Sequence, residues 1–312
     1  MRLYRHFADY QDRSQGIALA VGNFDGFHQG HKAVIDKMLV EAREHGLKSA
    51  VMIFEPQPLE FFGRTVPPRL YTLRDKLKAF KQAGLDLVFC VSFTKAFCSL
   101  APEEFVELLY TLNVKTVVVG SLFSFGRNGA AEFPDLKLLC AQKGIGAFAI
   151  NAVSSEGQRI SSTMIRALLN EGQLDKVEQL LGRPFSMSGR VVRGQMLGRK
   201  LGFPTANVNL LRKVSPLDGV FAVQVKTPYG VFDGVANVGS RPTVNGTRSL
   251  LEVYLFDFSA DLYGREIEVN FMAKLRAEHK FADLDALKEQ LRRDCAQAAQ
   301  VLQQRKIQVQ AR

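Results

Sequence analysis

The chain has 312 residues, enough for two domains with cores of their own. Hydrophobic residues make up 46% and charged residues 23%, a globular balance that excludes a largely disordered chain. The formal charge of +10 comes from Lys and Arg spread along the sequence, with no long basic block, which favours handling of small polyanions over binding of nucleic acid.

Over the first ~180 residues, apolar strand-like runs alternate with helical patterns, as expected of βαβ units around a parallel sheet in an α/β protein. The strands are expected at 17–21, 49–54, 87–92, 116–120 and 146–150. The helices between and after them are expected at 32–45, 73–82, 102–112, 135–143 and 162–171. A short helix over 174–181 stops at Gly182-Arg183-Pro184, which reads as a domain junction. Beyond it the pattern changes to short β-type runs at 185–192, 219–226, 230–238, 250–256 and 266–271, broken by Gly, Pro and Asn turns. That density of turns predicts a small antiparallel barrel. From Asp283 the chain is helical again, with Leu284, Leu287, Leu291 and Cys295 as the stripe against the barrel, and the polar tail from Gln303 is expected to fray.

The start of the chain lacks the apolar core of a signal peptide, and no run is long enough to cross a bilayer. Cys90, Cys98, Cys140 and Cys295 show no metal-ligand spacing. A cytoplasmic protein with reduced thiols and no membrane or nucleic-acid partner is therefore expected.

The densest motif of the first half is Gly22-Asn23-Phe24-Asp25-Gly26-Phe27-His28-Gln29-Gly30-His31, between a strand and a helix. Backbone N–H groups and a helix N-terminus there face an anion, and two imidazoles three residues apart reach one phosphate. It is neither a Walker loop nor a Gly-x-Gly-x-x-Gly fingerprint; His-x-Gly-His suggests adenylyl or cytidylyl transfer at a nucleotide α-phosphate. In the second half, Gly194, Gly198 and Gly202 let backbone lie close to a ligand, and Arg199 and Lys200 supply charge for phosphates. Thr205 and Asn207 share one face of an extended segment and offer hard oxygen ligands suited to Mg²⁺. Glu252, inside an apolar strand, can take a proton from a substrate hydroxyl as phosphoryl transfer begins.

Together these residues resemble the bifunctional prokaryotic FAD synthetases, which join riboflavin kinase to FMN adenylyltransferase. The likeness also rests on Phe54-Glu55-Pro56-Gln57-Pro58, Ile160 to Arg166, Gly219 to Val223, Asn237 to Thr243 and Asp261 to Gly264. It implies a Rossmann-like nucleotidyltransferase domain over 1–183, then a riboflavin kinase barrel with a C-terminal helix over 184–312. It implies that the barrel phosphorylates riboflavin from ATP, with Thr205 and Asn207 on Mg²⁺ and phosphates, Glu252 as base and 194–202 as a flap over ATP. The first domain would join AMP from ATP to FMN and release pyrophosphate. There Gly22, Asn23, Phe24, His28, Gly30 and His31 would hold ATP, with Ser162, Thr163 and Arg166 on its phosphates. Phe54, Pro56, Pro58, Leu122, Phe123 and Phe125 would hold the flavin.

One position departs from the family pattern. Relatives carry Asp or Asn where this chain has Leu122 in Gly120-Ser121-Leu122-Phe123-Ser124-Phe125-Gly126, and Ser124 stands where many have Arg. An unpaired polar group on the ligand costs about 1–3 kcal/mol, so adenylyl transfer is expected to be weakened beside an intact kinase. Two alternatives stand beside the bifunctional reading: a riboflavin kinase with a nucleotide-binding but poorly active first domain, and a non-enzymatic flavin- or RNA-binding regulator. Self-association is left open.

Overall fold

All five residues of β2 (Ile17–Val21) are buried, so this strand needs cover on both faces and neighbours on both edges. In the computed structural model, which describes every residue except 64, 65, 156, 195–197, 199, 200, 213, 244, 245, 311 and 312, it has all four. β1 (Arg2–Tyr4), β3 (Lys48–Glu55), β4 (Leu87–Ser92), β5 (Val114–Gly120) and β6 (Gly146–Ile150) join it in a parallel sheet of order β1-β4-β3-β2-β5-β6. β1 was not expected from the sequence: three residues with no apolar run of their own are held by pairing with β4.

Side chains of β2 alternate between two cores. Ala18 and Ala20 pack with Val34, Ile35 and Met38 of α1 (Gln29–Glu44), while Leu19 and Val21 pack in the opposite core, which holds Phe105 and Leu109. The small alanines let α1 lie close to the sheet. α2 (Pro58–Phe62), α3 (Leu73–Gln82), α4 (Lys95–Cys98), α5 (Pro102–Thr111) and α6 (Phe133–Gln142) complete the unit, with a two-stranded hairpin, β7 (Ser154–Ser155) and β8 (Gln158–Arg159). Strand order reverses between β3-β2 and β2-β5, which places the open crevice at the carboxyl ends of β2 and β5.

By packing, this first unit comprises 1–67 and 73–161, and the second comprises 68–72 and 162–312. The helix stop at Gly182 is present, with the glycine in a left-handed turn (φ 70°). The division nonetheless falls before α7 (Ser162–Asn170). The reason is α8 (Leu174–Leu181), whose Leu174, Val177, Leu180 and Leu181 are buried within the second unit. The short strap 68–72 is tied there by arginines: Arg166 Nε donates to the Pro68 carbonyl at 2.7 Å, and Arg212 donates to the carbonyls of Arg69 and Leu70.

The second unit is a closed barrel of β9 (Phe185–Val192), β10 (Thr205–Asn209), β11 (Gly219–Thr227), β12 (Gly230–Thr243), β13 (Gly246–Leu255) and β14 (Glu266–Arg276), in the order β10-β13-β12-β11-β14-β9. Phe185, Phe221 and Phe271 meet in its buried core. α9 (Leu284–Gln310) covers one side, but its contact differs from the expected stripe. Ala298 and Leu302 make the buried core with Val220, Ala222, Val235 and Met272, and Cys295 of the expected stripe packs against it, whereas Leu287 and Leu291 line a cavity that Cys295 also borders and Leu284 is exposed. The polar tail is helical to Gln310, and Arg305 pairs with Asp175 and Glu178 of α8.

A bidentate pair fixes the barrel end of α9: Arg276 Nε and Nη2 donate to the Asp294 carboxylate at 2.9 and 2.8 Å, and Asp294 is 1% exposed. Removing one partner strands the other charge, at a cost of about 3–5 kcal/mol. Asp294→Ala is therefore expected to lower the denaturant midpoint of the second unit strongly, and an unchanged midpoint would contradict this role.

Candidate active sites

The turn after β2 carries three residues in the left-handed region, Phe24, Gly26 and Phe27 (φ 49°, 82° and 46°). For the two phenylalanines this is strained backbone, costing of order 1 kcal/mol or more each. Burial offsets it: Phe24 is 1% exposed, and both rings meet Phe80 of α3 edge-on. The turn delivers His28 to the N-cap of α1, where its Nδ1 accepts from the His31 backbone N–H at 3.3 Å. With Nδ1 accepting, a neutral His28 carries its proton on Nε2.

The His28 and His31 rings stack with centroids 3.7 Å apart and planes 16° off parallel. Burial, then the neighbouring His28 and the fully buried Lys76, hold His31 well below the usual imidazole value of 6.5. His31 Nδ1 and Asn23 Oδ1 are buried and have no hydrogen-bond partner among the described residues. The first can donate to a phosphate oxygen once protonated, and the second accepts from an amine or hydroxyl. A Cβ on Gly30 would stand 3.2 Å from Cε1 and Nδ1 of His28 and 4.0 Å from the Ile160 carbonyl oxygen, so the chain leading to Ser162 passes beside this helix end. Ser162, Thr163 and Arg166 themselves lie in the first two turns of α7, in the second unit.

At the carboxyl ends of the strands, the segments after β3, β4 and β5 enclose an aromatic cavity of about 160 Å³. Of the expected flavin residues, Phe54, Pro58, Phe123 and Phe125 line it, with Phe123 and Phe125 stacked at 5.8 Å. Pro56 and Leu122 are not among the lining residues, and Leu122 is 68% exposed. Ser124 does line the cavity, as do Phe93 and Phe97, which sequence reading did not single out because a Phe at a strand or helix end looks like ordinary core.

In the barrel, Thr205 and Asn207 share a face of β10, and register supplies their neighbours. Asn207 lies opposite Glu252 of β13, Glu252 lies opposite Asn237 of β12, and Thr205 lies opposite Tyr254. Directly paired residues project from the same face, so Asn207, Glu252 and Asn237 form a polar row across three strands. Gly194 and Gly198 make room for it: a Cβ on Gly194 would be 2.3 Å from Asn207 Nδ2, and one on Gly198 would be 2.3 Å from the Phe203 carbonyl oxygen and 3.3 Å from Thr205 Oγ1. Gly202 takes the left-handed turn that follows (φ 87°). Arg199 and Lys200 lie outside the described residues.

Thr205 borders two cavities. One, of about 450 Å³, is bounded by Pro204, Ala206, Phe258, Asp261 and Tyr263. The other, of about 250 Å³, lies under α9 and is bounded by Asn237, Glu252, Tyr254, Phe281 and Leu291. Asn237 is a further functional candidate that periodicity left unmarked, a single polar residue between Ala236 and Val238.

The FAD synthetase family matches residues 10–164, and the riboflavin kinase family matches residues 181–302. The bifunctional riboflavin kinase/FMN adenylyltransferase of Escherichia coli (strain K12) is 45% identical over 291 residues, covering 91% of this chain and 92% of that protein. The protein of the same name from Pseudomonas fluorescens is 42% identical over 302 residues, covering 96% and 97%. The chain belongs to the bifunctional riboflavin kinase/FMN adenylyltransferase family. A crystal structure described as a macrolide-efflux protein from Streptococcus pneumoniae shares the fold, with a TM-score of 0.80 and 30% identity over 94% of this chain and 96% of that one. Among the described residues, no helix of this family member is long and apolar enough to cross a membrane.

Two outcomes follow from the His pair. The folded pKa of His31 lies below its unfolded value of 6.5, so the unfolded chain binds the extra proton and this part of the stability is lost as pH falls below 6.5. An NMR titration of the free protein should find His31 still neutral at pH 6, and an imidazole titrating at 6.5 or above would contradict the burial argument. Gly30→Ala should push the His28 ring off its cap. Helix propensity offsets most of the lost cap, so stability should move by less than about 1 kcal/mol. Conversion of FMN to FAD should fall at least tenfold, and unaltered turnover would show the close approach to be unimportant.

Proposed function

We propose that the chain phosphorylates riboflavin to FMN in its second half, 184–312, and adenylylates FMN to FAD in its first, 1–183, using ATP in both. The observation that carries this reading is the position of Thr205, bordering two cavities at once, with the Glu252 carboxylate on the wall of one of them. A triphosphate in the larger cavity and a flavin in the smaller one would meet at Thr205.

Glu252 then takes the proton of the ribityl 5′-hydroxyl, whose oxygen bonds to the γ-phosphorus as the bond to the bridging oxygen of ADP breaks. Thr205 and Asn207 fit a hard cation: one hydroxyl and one amide oxygen leave most of its coordination to phosphates and water. Mg²⁺ held there would neutralise charge on the phosphates. Backbone at Gly194, Gly198 and Gly202, with Arg199 and Lys200, would close over the nucleotide.

In the first half, a phosphate oxygen of FMN attacks the α-phosphorus of ATP and pyrophosphate leaves. His28 Nε2–H and His31, protonated as the anion arrives, hold the phosphate oxygens whose charge grows in the transition state. Gly22, Asn23, Phe24 and Gly30 shape the nucleotide cradle, and Ser162, Thr163 and Arg166 contribute further phosphate contacts. Phe54, Pro58, Phe123 and Phe125 would stack against the flavin, with Pro56 and Leu122 beside them. An exposed Leu122 outside the cavity lining offers no ground for a silent adenylyltransferase, so the kinase-only alternative is not favoured.

Incubation with riboflavin, ATP and Mg²⁺, followed by separation of FMN from FAD, tests both halves. His28→Ala should lower FAD formation by roughly 10²–10³ while FMN accumulates. Glu252→Ala should lower FMN formation by roughly 10²–10⁴ and leave conversion of supplied FMN intact. Wild-type protein that makes FMN but never FAD would restore the kinase-only reading.

A further inference from the structure

The row Asn207–Glu252–Asn237 has a member that the phosphoryl transfer does not use. Asn237 is the cross-strand partner of Glu252 on β12, on the side away from Asn207. Its Nδ2 donates to Glu278 Oε1 at 3.0 Å. A carboxylate only accepts, so this bond fixes the amide's orientation and turns Oδ1 the other way. That oxygen is buried and has no hydrogen-bond partner among the described residues, and Asn237 lines the cavity under α9 beside Glu252. Glu278 is seated in turn by Gly239, two residues along β12: a Cβ there would stand 2.3 Å from Glu278 Oε1. Gly239 thus leaves room for a carboxylate that aims an amide.

A shielded carbonyl without a donor is unfavourable unless a ligand supplies one. Glu252 and Asn237, directly opposed on neighbouring strands, have Cβ atoms about 5 Å apart. Two acceptors at that spacing suit two adjacent hydroxyl groups of a polyol, one on each. We propose that Asn237 accepts a hydrogen bond from the hydroxyl next to the reacting one, the flavin 4′-hydroxyl, and that Glu278 is the positioning residue that aims it. The assignment rests on the kinase reading, in which the 5′-hydroxyl lies at Glu252. It makes the ribityl chain, and not only the ring system, a determinant of substrate choice. A site built to bond a hydroxyl rejects the analogue lacking it, because its own polar group is then left unpaired.

The test compares kcat/KM for phosphorylation of riboflavin and of 4′-deoxyriboflavin by the full-length protein. Wild type should prefer riboflavin by roughly tenfold or more. Asn237→Leu should lose that factor on riboflavin, turn over the deoxy analogue as wild type does, and so show no preference. Glu278→Leu should lose most of the preference, while Glu278→Gln, whose Oε1 still accepts from Asn237, should retain it. Thermal unfolding of the same preparations reports whether each variant is folded. Equal turnover of both substrates by wild type overturns the proposal, even if Asn237→Leu fails to fold. An unchanged preference in Asn237→Leu overturns it as well. Wild type that phosphorylates neither compound contradicts the kinase reading instead.

Discussion

Strand register is the constraint on which the barrel site depends. A slip of one residue in one strand turns all of its side chains to the opposite face, and closure leaves no free edge at which a slip could be absorbed. In this chain the β12–β13 hairpin sets Glu252 against Asn237, and pairing of β13 with β10, which is not its neighbour in sequence, sets Asn207 against Glu252. The Glu252 carboxylate is thus flanked by an amide residue on either side without any loop having to hold it. The buried phenylalanine core and the Arg276–Asp294 pair keep strands and helix in place around that row.

The first unit solves a similar problem by different means. A parallel sheet exposes its ligand crevice where strand order reverses, and β2 is the strand at which it does so. Its exit turn places two phenylalanines in left-handed backbone and anchors both on Phe80. The result is a helix start capped by an imidazole, with a second imidazole stacked on it and kept neutral by burial. Burial keeps His31 neutral in the free protein, with its Nδ1 left without a hydrogen-bond partner among the described residues.

Close approach unites the two sites. Gly30 beside His28, Gly194 beside Asn207 and Gly239 beside Glu278 each occupy a place where a methyl group would crowd a polar side chain of a candidate site. These glycines are read in sequence as loop residues, but the structure gives each a specific neighbour. Burial raises the thiols of Cys140 and Cys295 to about 11, so both stay protonated at neutral pH.

Much of this was legible in the sequence because its cause is local. The apolar runs of β2 to β6, the helix stop at Gly182, the switch to short strands and the His-x-Gly-His turn depend on residues within a few positions of one another. Chain-distant matters were not legible. Pairing with β4 makes a strand of Arg2–Tyr4, and packing carries α7, α8 and the strap 68–72 into the second unit. The core contact of α9 begins at Cys295, the end of the stripe that periodicity marked, and continues beyond it to Ala298 and Leu302. Local spacing by itself determined which chemistry the two motifs could perform. Only the tertiary structure decided that Asn207 stands beside Glu252 and that Leu122 faces solvent, because the pairing of β10 with β13 and burial are properties of segments brought together from distant parts of the chain.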